Sequence, residues 1–462
     1  MARLLQSLRR VFGLTSSKRN PVLDAFPRSI DTDFSVFKDG DRAIVHGKHP
    51  LLTKPLKKGS KTEVRRGVLR HDSIIGQRVR DLIQAHKGPE YRLSHPSLDE
   101  YVALTPRLVT PIYSADANLI VSLLDIHVTP PAAGEGEGPG LQKPLEILES
   151  GTGHGSLTLH LARAIQAANS HPPPLPSKSQ IRYLQNRPTR PGEDEEKEVK
   201  ESAGKLKESD NKGGTTGDDN TIQQQWDTWR AQRRAIIHTV DVSPKFSQHA
   251  EKIVRGFRRG IYAGNVDFYV GHVENWITEQ TKLRSSSSSP GLFSFNKSAV
   301  PEPFLSYAIL DMPSAQLRIP HVAPILKRDG ILVVFMPSIT QIGDCLDLIR
   351  RQQLPFLLDR VVELGSGISS GRLWDVRFAV KKSRADPSSW GEEASLSESE
   401  ESGTQSSEEN PRQKDTESTL PSADDVQKEA DNVLVCRPKV GTRIVGGGFV
   451  GIWRRIEDSQ QG

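Results

Sequence analysis

The chain has 462 residues, with 62 Lys or Arg against 57 Asp or Glu and a net charge of +5. Hydrophobic residues make up 35%, and counting the 37 glycines brings apolar content to about 43%, short of the roughly 45–50% of ordinary globular chains. No apolar run approaches the roughly 20 residues of a membrane span, so no membrane partner is expected. The two cysteines, Cys345 and Cys436, and the thirteen histidines form no metal-ligand spacing, so no metal is expected either.

The first ~20 residues form an Arg-rich segment with no acid before Asp24. Leu4, Leu5, Leu8, Val11 and Phe12 share one helical face, and Arg3, Arg9, Arg10 and Arg19 fall largely elsewhere. That profile fits a mitochondrial presequence and predicts location in the matrix, with the nucleus as the alternative. The same residues also suit a basic arm on RNA. Residues 1–30 are therefore set apart as presequence or arm. Residues 31–100 read as a β-rich domain. Strand runs flank the Asp39–Gly40 turn, and Glu63–Leu69 alternates. Ser97–Leu104 and Asp116–Asp125 read as helices.

From Leu145 the pattern becomes strand, Gly-rich turn, helix, strand. A strand through Glu146–Leu148 leads into a helix over 156–168, with Leu157, Leu161, Ala164 and Ile165 on one face. The pattern resumes with a strand over Ala235–Val240 that ends at Asp241. Ser243 and Pro244 then suit the start of a helix. Strands follow at Val266–Val270, Tyr307–Leu310 and Gly330–Met336. The alternation argues a doubly wound parallel sheet. Arg372–Val380 and Gly448–Arg454 are expected to close it as an antiparallel pair. Residues 170–222, 284–303 and 383–431 are rich in Pro, Ser, Lys and Glu and are expected to be long disordered insertions. The main domain is then 101–382 with the first two insertions, followed by the acidic insertion 383–431 and completing strands at 432–462.

The strongest local motif is Glu149-Ser150-Gly151-Thr152-Gly153-His154-Gly155-Ser156, where glycines permit a tight turn and close approach of a ligand. Asp241 ends the second strand, where a carboxylate can hold both ribose hydroxyls. A lone loop of this kind fits dinucleotide enzymes as well. Its spacing, however, departs from the GxGxxG fingerprint, and the β-rich N-terminal domain counts against a nicotinamide enzyme.

Several segments together resemble the tRNA adenine-N1 methyltransferases that modify adenosine 58 in the T-loop. They are LLTKPLKKGSKTEVRRGVLRHDSIIG at 51–76, Tyr91-Arg92-Leu93, Leu98–Tyr101, Thr110–Tyr113 through Asp116, LEILESGTGHGSLTLHLARAI at 145–165, Leu310-Asp311-Met312-Pro313, the run at 331–342 and Arg372–Arg377. The resemblance implies a Rossmann-like class I methyltransferase sheet of α/β class behind a small β-rich domain. It also implies the cofactor S-adenosyl-L-methionine and the catalytic-subunit type. Thr110, Ile112, Tyr113, Glu149, Gly151, Thr152, Gly153, His154, Gly155, Ser156, Leu157, Asp241, His272 and Asp311 would lie at the cofactor. Asp311 matches the active-site aspartate. Lys54, Lys57, Lys58, Arg65 and Arg66 would take tRNA phosphates, since a basic surface favours them. Partners would be tRNA and either further copies of the chain or a related non-catalytic subunit. Three departures stand out: His154 in the glycine loop, His272 where an acid is common, and Ser314-Ala315-Gln316 after Asp311-Met312-Pro313. They leave open a catalytically weak or silent RNA-binding subunit as the alternative reading.

Overall fold

The computed structural model describes residues 29–47, 50–130, 143–184, 217–287, 302–365, 372–380, 432–438 and 447–456. The small N-terminal unit holds β1 (Ile44–His46), β2 (Leu51–Leu52), β3 (Lys61–Glu63), β4 (Val68–Arg70), β5 (Leu82–Gln84) and β6 (Glu90–Ser94). Four of these strands form a sheet in the order β2-β1-β6-β5, and β3 and β4 pair separately. Phe37, Val45, Leu56, Leu69, Ile74 and Leu93 fill the core beneath them. Two expectations change here. The run before Asp39–Gly40 makes only one bridge, Val36 to Arg78. Glu63–Leu69 is a hairpin rather than one strand: Val64 N–H donates to the Gly67 carbonyl, and Gly67 takes φ +95°, which a side chain would resist.

The larger unit continues with α1 (Leu98–Leu104), α2 (Ser114–Leu124), β7 (Leu145–Ser150), α3 (Ser156–Ile165), β8 (Arg182–Tyr183), α4 (Gly217–Ala231), β9 (Ala235–Asp241) and α5 (Pro244–Gly256). Then come β10 (Val266–Val270), α6 (Val273–Ser287), β11 (Leu305–Leu310), α7 (Ile319–Val322), β12 (Leu326–Met336) and α8 (Ile339–Arg351). The last strands are β13 (Phe356–Glu363), β14 (Arg372–Val380), β15 (Asn432–Pro438) and β16 (Phe449–Arg455). Among the described residues ten strands form one sheet, in the order β15-β14-β13-β16-β12-β11-β7-β9-β10-β8. The six from β12 to β8 run parallel, and β16, β13, β14 and β15 run antiparallel to their neighbours.

Period-two alternation puts successive strand residues on opposite faces, and both faces are apolar. Ile147, Ile237, Phe268, Ile309 and Val333 pack under α2, α3 and α5, while Leu148, Val240, Tyr269, Leu310 and Val334 pack on the other face under α6 and α8. This is the expected doubly wound α/β sheet. Ser243 caps α5 as expected, its side chain accepting from the Phe246 N–H. The expected closing pair is corrected, because β14 and β16 do not pair with each other. β13 lies between them and bonds to both.

The insertions also need redrawing. Within 170–222, residues 170–184 pack on the sheet and end in β8 at its edge, 217–222 begin α4, and 185–216 lie outside the described residues. Within 284–303, residues 284–287 finish α6, and Arg284 pairs with Glu146. Residues 383–431 and 1–28 lie outside the described residues.

Arg259 is a charged link between the two units. Arg259 donates from Nε and Nη2 to both oxygens of Asp41, at 2.7 and 2.6 Å, and from Nη1 to the Asp33 carbonyl at 2.8 Å. Among the described residues no helix is long and apolar enough to cross a membrane.

Candidate active site

The winding of the sheet reverses between β7 and β11. The chain leaves β7 for β9 and β10 on one side and returns to β11 and β12 on the other. At such a switch point the turns beyond the strand ends diverge and leave a crevice. A cavity of about 560 Å³ opens there, within the usual size of a small-molecule site. Glu149 to His154, Ser156 and Leu157 line it from the first turn, Val240 to Val242 from the second, and Asp311 to Pro313 from the fourth. Val109 to Ile112 close it from the segment before α2.

The glycine loop has local reasons for its composition. Gly151, Gly153 and Gly155 all take positive φ, at +101°, +50° and +83°. A Cβ on Gly151 would overlap the carbonyl oxygen of Asp311, so that glycine lets the first and fourth turns touch. The contact is tied by Asp311 N–H donating to the Ser150 carbonyl at 2.8 Å, and Gly151 N–H ties the same loop to the second strand by donating to the Val240 carbonyl at 2.9 Å. Gly155 serves packing instead. Its missing side chain admits Ala250 of α5, and it does not line the cavity.

Three carboxylates converge on this cavity. Asp241 accepts from Gly153 N–H at 3.0 Å and from Ser243 N–H at 2.8 Å, which holds its side chain against the loop. Burial raises its pKa, and the two N–H donors oppose that rise. Glu149 is 1% exposed and accepts from the Thr158 hydroxyl at 2.6 Å. Burial pushes its carboxyl up to about 8. Asp311 is pushed up to about 7, mainly by burial and then by the negative charge of Asp241. Acids gathered in a partly apolar cavity favour a cation, since each is short of positive neighbours.

His154 sits inside the loop and is buried. Its Nε2 lies 3.4 Å from the Thr105 hydroxyl, and its Nδ1 has no partner among the described residues. Burial, with smaller contributions from His249 and Arg107, pushes its pKa down to about 4, so the ring is neutral at pH 7.

Most of the expected site residues are therefore brought together: Thr110, Ile112, Glu149, Gly151, Thr152, Gly153, His154, Ser156, Leu157, Asp241 and Asp311. Three are not at the wall. Tyr113 is 46% exposed and accepts from Arg107 at 2.7 Å. Gly155 faces α5, and His272 is passed over between Gly271 and Val273, which do line the cavity. Sequence reasoning missed Val109, Val242, Phe246, Gln341 and Phe335–Pro337 at and just past the end of β12. Val242 and Phe246 were within reach of inference, since Val242 directly follows Asp241 and Phe246 lies in the first turn of α5. Lys54, Lys57, Lys58, Arg65 and Arg66 are all exposed on the N-terminal unit.

The residues present fit S-adenosylmethionine on chemical grounds. A carboxylate fixed at the second strand end suits a ribose diol. Val242, Phe246 and Val273 suit a flat heterocycle, and the acid-lined centre suits a sulfonium.

No family model matches the chain. The tRNA (adenine(58)-N(1))-methyltransferase TrmI of Thermus thermophilus is 24% identical over 329 residues, covering 71% of this chain and 84% of that protein. Among solved structures, a SAM-dependent O-methyltransferase from Thermotoga maritima aligns over 94% of this chain and all of its own, at 12% identity and a TM-score of 0.46. The tRNA (m1A58) methyltransferase TrmI from Aquifex aeolicus aligns over 92% of this chain and all of its own, at 14% identity and a TM-score of 0.42. Over 71% of its length, then, the chain is similar in sequence to the tRNA (adenine-58, N1) methyltransferases, as its motifs indicate.

Proposed function

We propose that this protein is an S-adenosylmethionine-dependent methyltransferase acting on N1 of adenosine 58 in the T-loop of tRNA. One observation carries the reading: the glycine loop, Asp241 and Asp311 come from three separate strand ends and meet in one cavity. The similarity to the Thermus thermophilus enzyme supports the choice of substrate.

What bound S-adenosylmethionine supplies is an electrophilic methyl group on a sulfonium. The protein's own residues do the rest. Asp241, held by Gly153 and Ser243, accepts from the ribose hydroxyls and fixes one end of the cofactor. Gly153 keeps the loop free of any side chain that would fill the space in front of Val109. Asp311 stands at the reacting end. Its carboxylate accepts a hydrogen bond from the 6-amino group of the target adenine and stabilises the positive charge that develops on the purine as N1 is methylated. Gly151 brings Asp311 against the loop, so the two partners are positioned together.

N1 lies on the Watson–Crick edge, so the base must leave its stack to reach the cavity. The exposed Lys54, Lys57, Lys58, Arg65 and Arg66 are assigned to the tRNA backbone, which makes binding fall steeply with salt. The basic, acid-free N-terminus supports mitochondrial import as the place of action. The test is mass-spectrometric comparison of modified nucleosides in mitochondrial and cytosolic tRNA with and without the protein. Loss of 1-methyladenosine from position 58 is expected, and an unchanged content would overturn the reading.

A further inference from the structure

We infer that Leu184, at the end of the segment 170–184 inserted between α3 and α4, is a positioning residue for the adenine end of the cofactor site. The inference rests on the reading that the cavity holds S-adenosylmethionine.

The segment is strapped along the edge of the sheet. The Pro172 carbonyl accepts from Ile30 N–H at 3.0 Å, Ser170 Oγ accepts from Trp229 Nε1 at 2.9 Å, and Ser179 Oγ and Gln180 N–H donate to Glu251 at 2.6 and 2.8 Å. It then adds β8 as a parallel strand outside β10, pairing Arg182 with Tyr269 and Tyr183 with Val270. Leu184 N–H continues the ladder to the Val270 carbonyl at 2.9 Å.

Leu184 does not line the cavity itself; its side chain packs behind Gly271, which does. It is 4% exposed and belongs to the cluster of Val240, Val273 and Trp276. A Cβ on Gly271 would lie 2.8 Å from Leu184 Cδ1 and 2.9 Å from its Cβ, so Leu184 occupies the space that a side chain at 271 would take. Gly271 itself lines the cavity, and its N–H donates to the Asp241 carbonyl at 2.9 Å. The backbone of the ribose-binding acid, the bare wall at Gly271 and Leu184 behind it thus form one continuous stack. With no side chain at 271 and His272 off the cavity lining, the backbone at Gly271 is exposed beside Val273 and is backed by Leu184. Removing the leucine leaves a void behind Gly271 and frees the turn to move by the fraction of an ångström that a flat heterocycle would register.

The test uses the full-length protein, with calorimetric Kd for S-adenosylhomocysteine and steady-state kinetics on tRNA. Leu184→Ala is expected to raise that Kd and the KM for S-adenosylmethionine by roughly tenfold, with kcat and the KM for tRNA within twofold. Leu184→Met, which refills the space, is expected to restore both. Leu175→Ala, which loosens the same strap at Gly260, is expected to leave all four values within twofold. A loss of folded protein lowers apparent kcat without moving KM, so the split separates positioning from mere stability. If Leu184→Ala does not fold, Leu184→Val is read for the same rise in Kd. An unchanged Kd in the leucine variant, or an equal rise in Leu175→Ala, overturns the inference and leaves the function intact. Wild-type protein that binds no S-adenosylhomocysteine overturns both.

Discussion

Replacing Arg259 with alanine should weaken the attachment of the basic N-terminal unit to the rest of the protein. The Asp41 side chain is 1% exposed and that of Arg259 is 13% exposed. Without the guanidinium, the Asp41 carboxylate keeps the Lys38 N–H at 2.8 Å but loses both charge-assisted bonds. Breaking a buried pair from one side costs about 3–5 kcal/mol, because a charge is left without a partner. Arg259 also sits at φ +56°, a conformation that costs a non-glycine residue about 1–2 kcal/mol. Arg259→Gly should therefore be the less damaging of the two variants by about 1 kcal/mol. The assay is urea denaturation of wild type, Arg259→Ala, Asp41→Asn and the double variant at pH 7. Strong non-additivity is expected, since either change removes the same bonds. The KM for tRNA should rise while cofactor affinity stays within about twofold, because Arg259 lines no part of the cavity. A loss below about 1 kcal/mol in Arg259→Ala, or additive single and double variants, would refute the clamp.

Asp241→Ala should weaken S-adenosylmethionine binding by about 1–3 kcal/mol by calorimetry, the scale of charge-assisted hydrogen bonds; unchanged affinity would remove Asp241 from the ribose. Glu149→Gln should change how stability depends on pH. Burial raises Glu149 from 4.5 to about 8, so the folded protein holds a proton that the unfolded chain releases. Wild-type stability therefore falls as pH rises between those values, and below 4.5 the effect vanishes. Melting temperatures measured from pH 5 to 8 should show the variant gaining steadily on wild type, by an amount on the order of a few kcal/mol at pH 8; a constant difference would mean that Glu149 titrates normally. A reporter carrying residues 1–30 should enter mitochondria, and retention in the cytosol or nucleus would reject the presequence.

The parallel core was legible because each strand's apolar run and each glycine turn obey local rules. Glu149–Ser156, Asp241 and Asp311 could be placed at strand ends from sequence and do meet in space. The misses have physical causes. In β13, the register shifts between Leu358 and Arg360, which breaks the period that would have revealed the strand. β8 is two residues long and carries no pattern of its own. The helix α4 has its apolar Ile222, Trp226 and Trp229 at helical spacing, but its polar composition hid the period and its first six residues were counted with the insertion. Tyr113 and His272 were assigned by motif position, and a motif fixes where the backbone passes rather than which way a side chain turns.

The most direct measurement is transfer of radiolabelled methyl groups to unmodified tRNA by wild type and Asp311→Asn, followed by nucleoside analysis across pH 5.5 to 9. Asp311 must be ionised to stabilise the methylated purine, and its carboxyl is pushed up to about 7. Label is expected in 1-methyladenosine at position 58, with a wild-type kcat/KM for the cofactor that climbs with pH through about 7, since that ratio reports the free protein's groups. Asp311→Asn is expected to bind cofactor and tRNA but to turn over about 10²–10³-fold more slowly, without that climb. Label at guanosine, cytidine or protein, or full activity in Asp311→Asn, would contradict the assignment.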